Sequence, residues 1–151
     1  MRSSVYCISS LLLLLGFVFA QDTQTADDEK VKIVETALNY IDGWYTGDAE
    51  RMEKALHPHL AKRMVSTDKK SGRSNLHQMT AMSLVQGTRK SWGKEIPEVE
   101  RQNEVIILDV FRNAASVKVI ATDWIDYLHI VKWKGEWKII NVLWELKEKK
   151  Q

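Results

Sequence analysis

The sequence predicts an α+β domain in which helices precede a block of antiparallel strands. Apolar residues recur at three- and four-residue spacing between Val31 and Tyr45, which is typical of an amphipathic helix. Residues 98–147 are instead rich in Val, Ile and aromatic residues and are interrupted by short polar segments, as in strands joined by hairpins. Helices that pack on one face of an antiparallel sheet define the α+β class.

Residues 1–20 have the pattern of a secretory signal peptide. Arg2 supplies the positive charge, Ile8–Ala20 is almost wholly apolar, and Val18 and Ala20 are small enough for signal peptidase. The apolar run is shorter than the roughly 18 to 20 residues that a membrane span needs, so cleavage is favoured over retention as an N-terminal anchor. We therefore expect a secreted or periplasmic protein that has no membrane attachment after cleavage.

The composition of the remaining chain excludes several classes of function. Residues 21–29 are predicted to be a flexible polar leader, and residues 30–148 are long enough for one domain with its own core. The single cysteine, Cys7, lies in the signal segment, so the mature chain has no thiol for a disulfide, a metal site or catalysis. The 22 basic residues nearly balance the 20 acidic ones. No field of one sign is therefore expected to attract nucleic acid or an anionic membrane.

The first two helices are predicted to lie on either side of a glycine. The first ends before Gly47, which favours the left-handed conformation found at helix C-termini. Asp48 can cap the second helix, and Pro58 ends it near His57. The predicted inner faces are Val31, Val34, Ala37, Leu38, Ile41, Trp44 and Tyr45 in the first helix, and Met52, Ala55 and Leu56 in the second.

A short strand and a third helix are predicted next. The strand covers Leu60–Thr67 and is followed by a polar turn at Asp68–Arg73. Asn75, with Gln78 three residues later, has the spacing of a capping box and is the expected start of the third helix. That helix would carry Leu76, Met79 and Met82 on its inner side and end at Gly87.

Three long strands are predicted for the rest of the chain, with apolar residues on both faces. They cover Glu98–Phe111, Ser116–Trp133 and Glu136–Lys147, joined at Asn113-Ala114-Ala115 and Lys134-Gly135. A sheet with one face in water alternates apolar and polar residues, which these strands do not do consistently. Three helices can cover one face, so a homodimer through the outer face is expected. In the second strand one predicted face holds Val117, Val119, Ile125, Tyr127, Val131 and Trp133, and the other holds Ile120, Trp124, Leu128 and Ile130.

Three segments resemble one known group of proteins. They are Tyr40–Asp48, the His57-Pro58 step within Ala55–Arg63, and the closing Gly135–Trp144. Together they resemble the nuclear transport factor 2-like superfamily, and most of all its branch labelled "putative lumazine-binding", which is related to the SnoaL-like proteins. The resemblance covers roughly residues 31–147. It implies a cone-shaped fold, in which three N-terminal helices pack on a curved antiparallel sheet that wraps the first helix and leaves a pocket, and it implies homodimers through the outer sheet face.

The resemblance also suggests candidates for catalysis. Enzymes of this superfamily commonly use a pocket Asp or His as general base and a Tyr or Asp as proton donor, and a carboxylate in an apolar pocket suits that task. The candidates here are Asp109, His59 and Tyr40. His59 follows the His-Pro step at a position where many active relatives have an acid. This departure weakens the transfer of a catalytic base to this chain.

Two of the polar candidates have a structural alternative. Asp109 lies in an apolar strand, on the side shared with Ile107 and Phe111, and is either a pocket carboxylate or an acid that is ion-paired at the sheet edge. His57 and His59 could face one side of a strand, but two histidines without a third ligand do not predict a metal site. No metal and no cofactor is therefore expected. Asp123 and Asp126 should lie on opposite faces of a regular strand.

A ligand pocket is expected to be lined mainly by aromatic and apolar residues. Tyr40 and Trp44 on the first helix are the foremost candidates, whereas Trp124, Trp133, Trp137 and Trp144 are expected in the core or the dimer interface. Arg63 is either an anion contact or one half of a structural ion pair. The predicted ligand-binding set is Tyr40, Trp44, His57, Arg63, Asp109, Tyr127 and Asn141.

Three functions are consistent with these patterns. The first is an exported protein that binds a small molecule without turnover. The second is an isomerase or dehydratase that uses a pocket acid or His as general base. The third is a structural or interaction module whose pocket is filled by its own side chains. The superfamily contains enzymes, binding proteins and assembly modules, so the fold does not decide among them.

Overall fold

Three α-helices and six β-strands follow one another between residues 6 and 148, the part of the chain that the structure describes. The structure is a computed structural model, and its side chains are described from Ala26 onward. The helices are α1 (Tyr6–Thr46), α2 (Ala49–Ala55) and α3 (Ala81–Arg89). The strands are β1 (Leu56–Thr67), β2 (Ser74–Thr80), β3 (Asn103–Phe111), β4 (Ala114–Ala121), β5 (Trp124–Trp133) and β6 (Glu136–Leu146). Two 3₁₀ turns, Trp92–Glu95 and Glu98–Glu100, lie between α3 and β3.

Contacts between residues divide the chain into two units, and the sheet belongs entirely to the second, which begins at Ile33. The first unit contains the N-terminal part of α1, where Lys30 pairs with Asp27 and Lys32 with Glu29 one helical turn apart. α1 includes residues 21–29, for which the sequence predicted a flexible leader. No helix of the described residues is long and apolar enough to cross a membrane. The signal peptide stays a prediction, because residues 1–5 lie outside the described range.

The sheet has the strand order β2-β1-β6-β5-β4-β3. All neighbouring strands are antiparallel except β1 and β6, which are parallel. The last strand of the chain therefore lies between β1 and β5, near the middle of the sheet. The sheet is curved and unclosed and carries the helices on one face, which confirms the predicted α+β class.

The core lies between the C-terminal half of α1 and the inner face of the sheet. Ile33, Ala37, Tyr40, Ile41 and Tyr45 are buried at the three- and four-residue spacing of one helix face. The predicted inner face of the first helix therefore agrees with the buried face over most of its length. Its first predicted member, Val31, is 66% exposed. The sheet supplies Val117, Val119, Leu128, Ile130, Ile139 and Val142, all fully buried.

The predicted helix boundaries around Gly47 are confirmed. α1 ends at Thr46, and Gly47 has a left-handed φ of 69°. Asp48 caps α2 by accepting hydrogen bonds from the backbone N–H groups of Glu50 and Arg51. α2 ends at Ala55, and β1 begins at Leu56, so the strand starts before Pro58 and four residues earlier than predicted.

The predicted start of the third helix at Asn75 is wrong. Residues 74–80 form β2, which pairs with β1 across the predicted polar turn, from Thr67 opposite Ser74 to Ala61 opposite Thr80. Helix α3 begins only at Ala81, with Thr80 and Ser83 as its capping box, and it continues past Gly87 to Arg89. The spacing of Asn75 and Gln78 favours a helix start, but the seven backbone pairs of the β1–β2 hairpin stabilise a strand instead. The local sequence does not reveal this pairing.

The predicted single strand from Ser116 to Trp133 is also wrong. It is two strands, β4 and β5, which turn at Thr122 and Asp123 and pair from Ile120 opposite Ile125. The turn resets the alternation of side chains, so the predicted faces do not persist along the segment. Val117 and Val119 share the buried face with Asp126, Leu128 and Ile130, whereas Ile125 and Tyr127 lie on the other face.

Irregularities in two more strands change which residues share a face. The pairing of β5 and β6 skips Ile140, so that Trp137, Ile139 and Val142 are all buried and Leu143 is exposed. The pairing of β3 and β4 skips Leu108, which separates Asp109 from the face of Ile107. The Lys134-Gly135 hairpin is confirmed, with both residues at positive φ.

Candidate functional site

A cavity of about 270 Å³ lies between the C-terminal part of α1 and the inner face of the sheet. Its walls are mostly aromatic: Tyr40 and Trp44 come from α1, Trp124 from β5 and Trp144 from β6. Met79, Leu84 and Leu146 complete the apolar wall, and Asp123 reaches it from the β4–β5 turn. A mostly aromatic lining with few polar groups is typical of small-molecule sites.

The polar part of this cavity is a buried ion pair. Lys62 of β1 places Nζ 2.6 Å from Oδ1 of Asp126 on β5, and the two side chains are only 6% and 0% exposed. Charges so far from water are costly unless they are paired and hydrogen-bonded. The pair therefore requires hydrogen bonds from the surrounding side chains.

Those neighbours supply hydrogen-bond donors to both oxygens of the Asp126 carboxylate. Oδ1 accepts from Lys62, while Oδ2 accepts from the Tyr40 hydroxyl at 3.1 Å and from the Trp124 indole N–H at 2.7 Å. The Tyr40 hydroxyl in turn accepts from Lys62 Nζ at 2.6 Å. Tyr40, Lys62 and Asp126 thus form a closed triangle of hydrogen bonds. Trp124 donates one further hydrogen bond to it, at Asp126 Oδ2.

Lys62 retains one hydrogen that no side chain of this triangle takes. An ammonium group has three donors, and the hydrogen bonds among the described residues use two of them. Nζ also lies 4.7 Å from the ring centroid of Trp144, which favours the positive charge through a cation–π interaction. Lys62 is also one of the residues that line the cavity, so we expect its third N–H to be the donor that a bound molecule would meet.

The pKa values of Lys62 and Tyr40, the two titratable neighbours of Asp126, are shifted in opposite directions. Burial lowers the pKa of Lys62 from its ordinary 10.5, although the charge of Asp126 opposes this effect. Burial, followed by the charge of Asp126 and the hydrogen bond to it, raises the pKa of Tyr40 well above 10.0. Tyr40 therefore stays a neutral donor at physiological pH.

The sheet topology brings Lys62 and Asp126 together. Lys62 lies opposite Val142 of β6, and Asp126 lies opposite Trp144, two residues further along the same strand. The lysine side chain crosses β6 beside Trp144 to reach the carboxylate. The pair exists only because β6 is inserted between β1 and β5.

Gly93 allows the chain to pack closely against Trp44, and Gly87 leaves room for the neighbouring Trp92 ring. A Cβ atom at Gly93 would collide with the backbone oxygen and indole of Trp44. A Cβ at Gly87 would lie 2.6 Å from the Trp92 ring and 3.4 Å from the Trp44 ring. The chain around the first 3₁₀ turn therefore packs directly against the back of the indole, which fixes the position of this cavity wall.

The structure divides the predicted ligand-binding residues among three places. Tyr40 and Trp44 line the cavity. Arg63 and Tyr127 lie in one cross-strand row on the outer sheet face, through Leu143 between them. Asp109 and Asn141 lie in the next row, through Ser116 and His129. Asp109 is exposed there, so the structure does not bring it together with Tyr40 or His59.

His57 and His59 lie at a third place, at the start of β1. The His57 ring is buried edge-on against Trp133 at 5.0 Å, and its Nδ1 accepts a hydrogen bond from the backbone N–H of His59. Within the described residues no group of three His, Cys, Asp or Glu side chains could hold a metal ion. A separate and larger pocket, of about 520 Å³, is lined by Leu56, Pro58, Val85 and Trp133 among others.

The sequence reasoning missed Lys62 as a site residue and placed Trp124 and Trp144 in the core or interface. One signal was present: Leu60, Lys62 and Met64 alternate along β1, so a lysine occupies an inward position between two apolar residues. Such a lysine requires an acidic partner. The sequence contains several, and only the strand order selects Asp126.

Comparison with known proteins extends these observations. A family model described as "putative lumazine-binding" matches residues 28–145. Among curated proteins, none matches the chain. Solved structures do match, and three of them are nuclear transport factor 2-like proteins of unknown function.

The first of these, from Shewanella baltica, is 20% identical and has a TM-score of 0.61 over 81% of this chain and 96% of its own. The second, from Silicibacter pomeroyi, is 12% identical and has a TM-score of 0.60 over 81% and 98%. The third, from Methylobacillus flagellatus, is 19% identical, with a TM-score of 0.59 over 80% and 94%. At these identities the likeness establishes the nuclear transport factor 2-like fold.

Proposed function

The chain belongs to the "putative lumazine-binding" family of the nuclear transport factor 2-like superfamily, and on this premise we propose that it is an exported protein that binds a small molecule. The observation that carries the proposal is the spare N–H of Lys62 in a cavity walled by aromatic rings. A cavity filled by the protein's own side chains would leave no space beside this donor. At about 270 Å³ the cavity lies just below the roughly 300–1,000 Å³ range of ligand sites, which favours a small ligand.

Binding is better supported than proton abstraction. A general base needs a lone pair that faces the substrate. Asp126, the buried acid, accepts three hydrogen bonds from Lys62, Tyr40 and Trp124, and Asp123, the acid that lines the cavity, is exposed to solvent. Asp109 lies on the outer face instead. The arrangement therefore favours a preorganised donor over a base.

Native mass spectrometry of the protein purified from its own source tests the proposal. We expect a small molecule that is released on denaturation and is lost in Trp44→Ala, which removes a cavity wall. The matched control is Trp133→Ala, because Trp133 is half exposed and does not line this cavity. A protein that carries no molecule, or carries it equally in Trp44→Ala, would contradict binding at this site. The same mass shows whether residues 1–20 are removed, as the predicted cleaved signal peptide requires.

We also propose that the protein is a homodimer through its outer sheet face. One cross-strand row on that face runs through Gln78, Arg63, Leu143, Tyr127, Lys118 and Ile106, and so crosses all six strands. Leu143, Tyr127 and Ile106 are exposed apolar side chains in its middle and at its end. The cations Arg63 and Lys118 and the acid Asp109 share this face, so two copies related by a two-fold axis can pair opposite charges.

A further inference from the structure

We propose that the larger pocket, of about 520 Å³, is a second ligand site and that it takes a free amino acid with an aromatic or large apolar side chain. This site, the second pocket, goes beyond the proposed function, which concerns the cavity beside Lys62. Three features of the second pocket support the assignment. They are its separation from that cavity, its exposed apolar wall, and two opposite charges that no described residue pairs.

The second pocket is separate from the cavity beside Lys62, since no described residue lines both. Helix α3 contributes to each of them, but through different faces. Leu84 lines the cavity, whereas Ala81, Val85 and Arg89 follow one another at four-residue spacing and line the second pocket. The other walls are the end of α2, the start of β1 and the β5–β6 hairpin. The two places can therefore bind different molecules.

The wall of the second pocket contains large apolar side chains that remain exposed to water. Met82 is 64% exposed and Trp133 is 49% exposed, and both line the pocket together with the buried Leu56 and Val85. The His57 ring contacts the Trp133 ring edge-on at 5.0 Å, which restricts the movement of the indole. Because covering Met82 and Trp133 removes apolar surface from water, a ligand with an apolar body is favoured. The volume of about 520 Å³ lies within the roughly 300–1,000 Å³ range of ligand sites.

Two opposite charges belong to the same wall, and the protein does not neutralise them. Glu53 of α2 and Arg89 of α3 are lining residues, and among the described residues neither side chain makes an ion pair or a hydrogen bond. Lys138, the third charged residue of the lining, differs from them. Its Nζ lies 2.8 Å from Oε2 of Glu136 and donates a hydrogen bond to the backbone oxygen of Lys54 at 2.7 Å. The second pocket thus has one acid and one base that a ligand can pair.

A zwitterion pairs with both of these charges. The Arg89 guanidinium favours a carboxylate, which it can bind through two parallel N–H donors, and the Glu53 carboxylate favours an ammonium group. A ligand with only a carboxylate would bring a second negative charge near Glu53, and a ligand with only an ammonium group would bring a second positive charge near Arg89. An α-amino acid carries both groups at one end and its side chain at the other. An aromatic or large apolar side chain suits Trp133 and Met82.

Nuclear magnetic resonance titration with three matched probes tests this inference. Phenylalanine carries both charges, 3-phenylpropanoate lacks the ammonium group, and 2-phenylethylamine lacks the carboxylate. We expect wild-type protein to bind phenylalanine about fivefold more tightly than either of the others, as for one ion pair that is partly exposed to water. The indole N–H signal of Trp133, identified by its loss in Trp133→Phe, should shift on binding. No binding of phenylalanine at millimolar concentration, or equal affinity for the three probes, would overturn the inference.

Two variants assign the preference to the two charges. Glu53→Gln should bind phenylalanine and 3-phenylpropanoate equally, and Arg89→Gln should bind phenylalanine and 2-phenylethylamine equally. The matched controls are Glu50→Gln in α2 and Arg73→Gln in the β1–β2 turn, which are not among the described residues that line the second pocket. Both controls should keep the wild-type preference. A preference that is unchanged in Glu53→Gln and Arg89→Gln contradicts this site. Native mass spectrometry tests the other cavity separately, so the two proposals can fail independently.

Discussion

At the scale of single residues, the protein depends on a charge that it has taken out of water. Lys62 and Asp126 are nearly inaccessible, and their stability comes from each other, from Tyr40 and from Trp124. Such a pair contributes little net stability compared with apolar residues of similar size, but it is costly to break. Net stability therefore does not account for the pair, and we propose that its role is to position one N–H donor.

We predict that Lys62→Met lowers the free energy of unfolding by about 3–5 kcal/mol, because it leaves the Asp126 carboxylate buried without its cation. Lys62→Met/Asp126→Leu should recover most of that loss. Urea unfolding followed by circular dichroism measures both. The matched control is Arg63→Met, the adjacent residue on the opposite face of β1. A double variant as unstable as the single one would show that packing, and not the unpaired charge, causes the loss.

We predict that Tyr40 ionises only above the pH at which an ordinary tyrosine does. Its raised pKa means that its contribution to stability is present below its ordinary pKa of 10.0 and is lost as the pH rises through the raised value. Lys62 acts in the opposite sense: with a lowered pKa, its contribution is present above 10.5 and is lost as the pH falls through the lowered value. The Tyr40 effect therefore lies above pH 10.0, whereas the Lys62 effect extends downward from pH 10.5.

Ultraviolet absorbance of the phenolate measures the Tyr40 prediction directly. Tyr40→Phe should remove the component that ionises last, and unfolding should accompany that component in wild-type protein. Tyr127→Phe is the control, because Tyr127 is exposed on the outer face. If the last component persists in Tyr40→Phe, the hydroxyl of Tyr40 is not protected as the structure describes.

At the scale of elements, short local signals compete with pairing between strands. The Asn75 and Gln78 spacing favours a helix start, yet both residues lie in β2, where they pair with Ser66 and Arg63 of β1. The hairpin satisfies the backbone hydrogen bonds of both strands, and the helix then starts at the next good cap, Thr80. Gly47 and the Lys134-Gly135 turn were predictable, because their conformations depend on the residue itself.

We predict that Thr80→Ala lowers the free energy of unfolding by about 1 kcal/mol, because Thr80 Oγ1 accepts a hydrogen bond from the backbone N–H of Ser83. Asn75→Ala, the matched change at the sequence-predicted cap, should alter it by no more than about 0.5 kcal/mol, as is usual for exposed positions. Chemical denaturation of the two variants compares them. A larger effect at Asn75 than at Thr80 would favour the earlier helix start.

At the scale of the whole molecule, the two sheet faces have different roles. From Ile33 onward, the inner face meets the helices and forms the cavity, and the outer face leaves Val65, Leu76, Tyr127 and Leu143 exposed. Val65 and Leu76 are directly opposite each other, so they form one apolar pair. Apolar residues collected on one face of a sheet are typical of a surface that a partner covers.

We predict that Leu143→Lys converts the protein from a dimer to a monomer, because it places a cation in the middle of the outer row beside Arg63. Size-exclusion chromatography with light scattering gives the mass. Val99→Lys is the matched control, since Val99 is 94% exposed in a 3₁₀ turn and makes the same change of charge away from the sheet. A wild-type monomer, or a Leu143→Lys dimer, would contradict the proposed interface.

The sequence by itself determined the α+β class, the amphipathic helix that ends before Gly47, the cap at Asp48 and the strand-rich second half. These features depend on residues that are close along the chain, and local periodicity and backbone preference specify them. It also indicated Tyr40 and Trp44 as cavity residues through the family resemblance. Only the tertiary structure decided that Lys62 pairs with Asp126. The two residues are 64 positions apart, and their contact depends on β6 lying between β1 and β5, which is a long-range choice of strand order that no local pattern encodes.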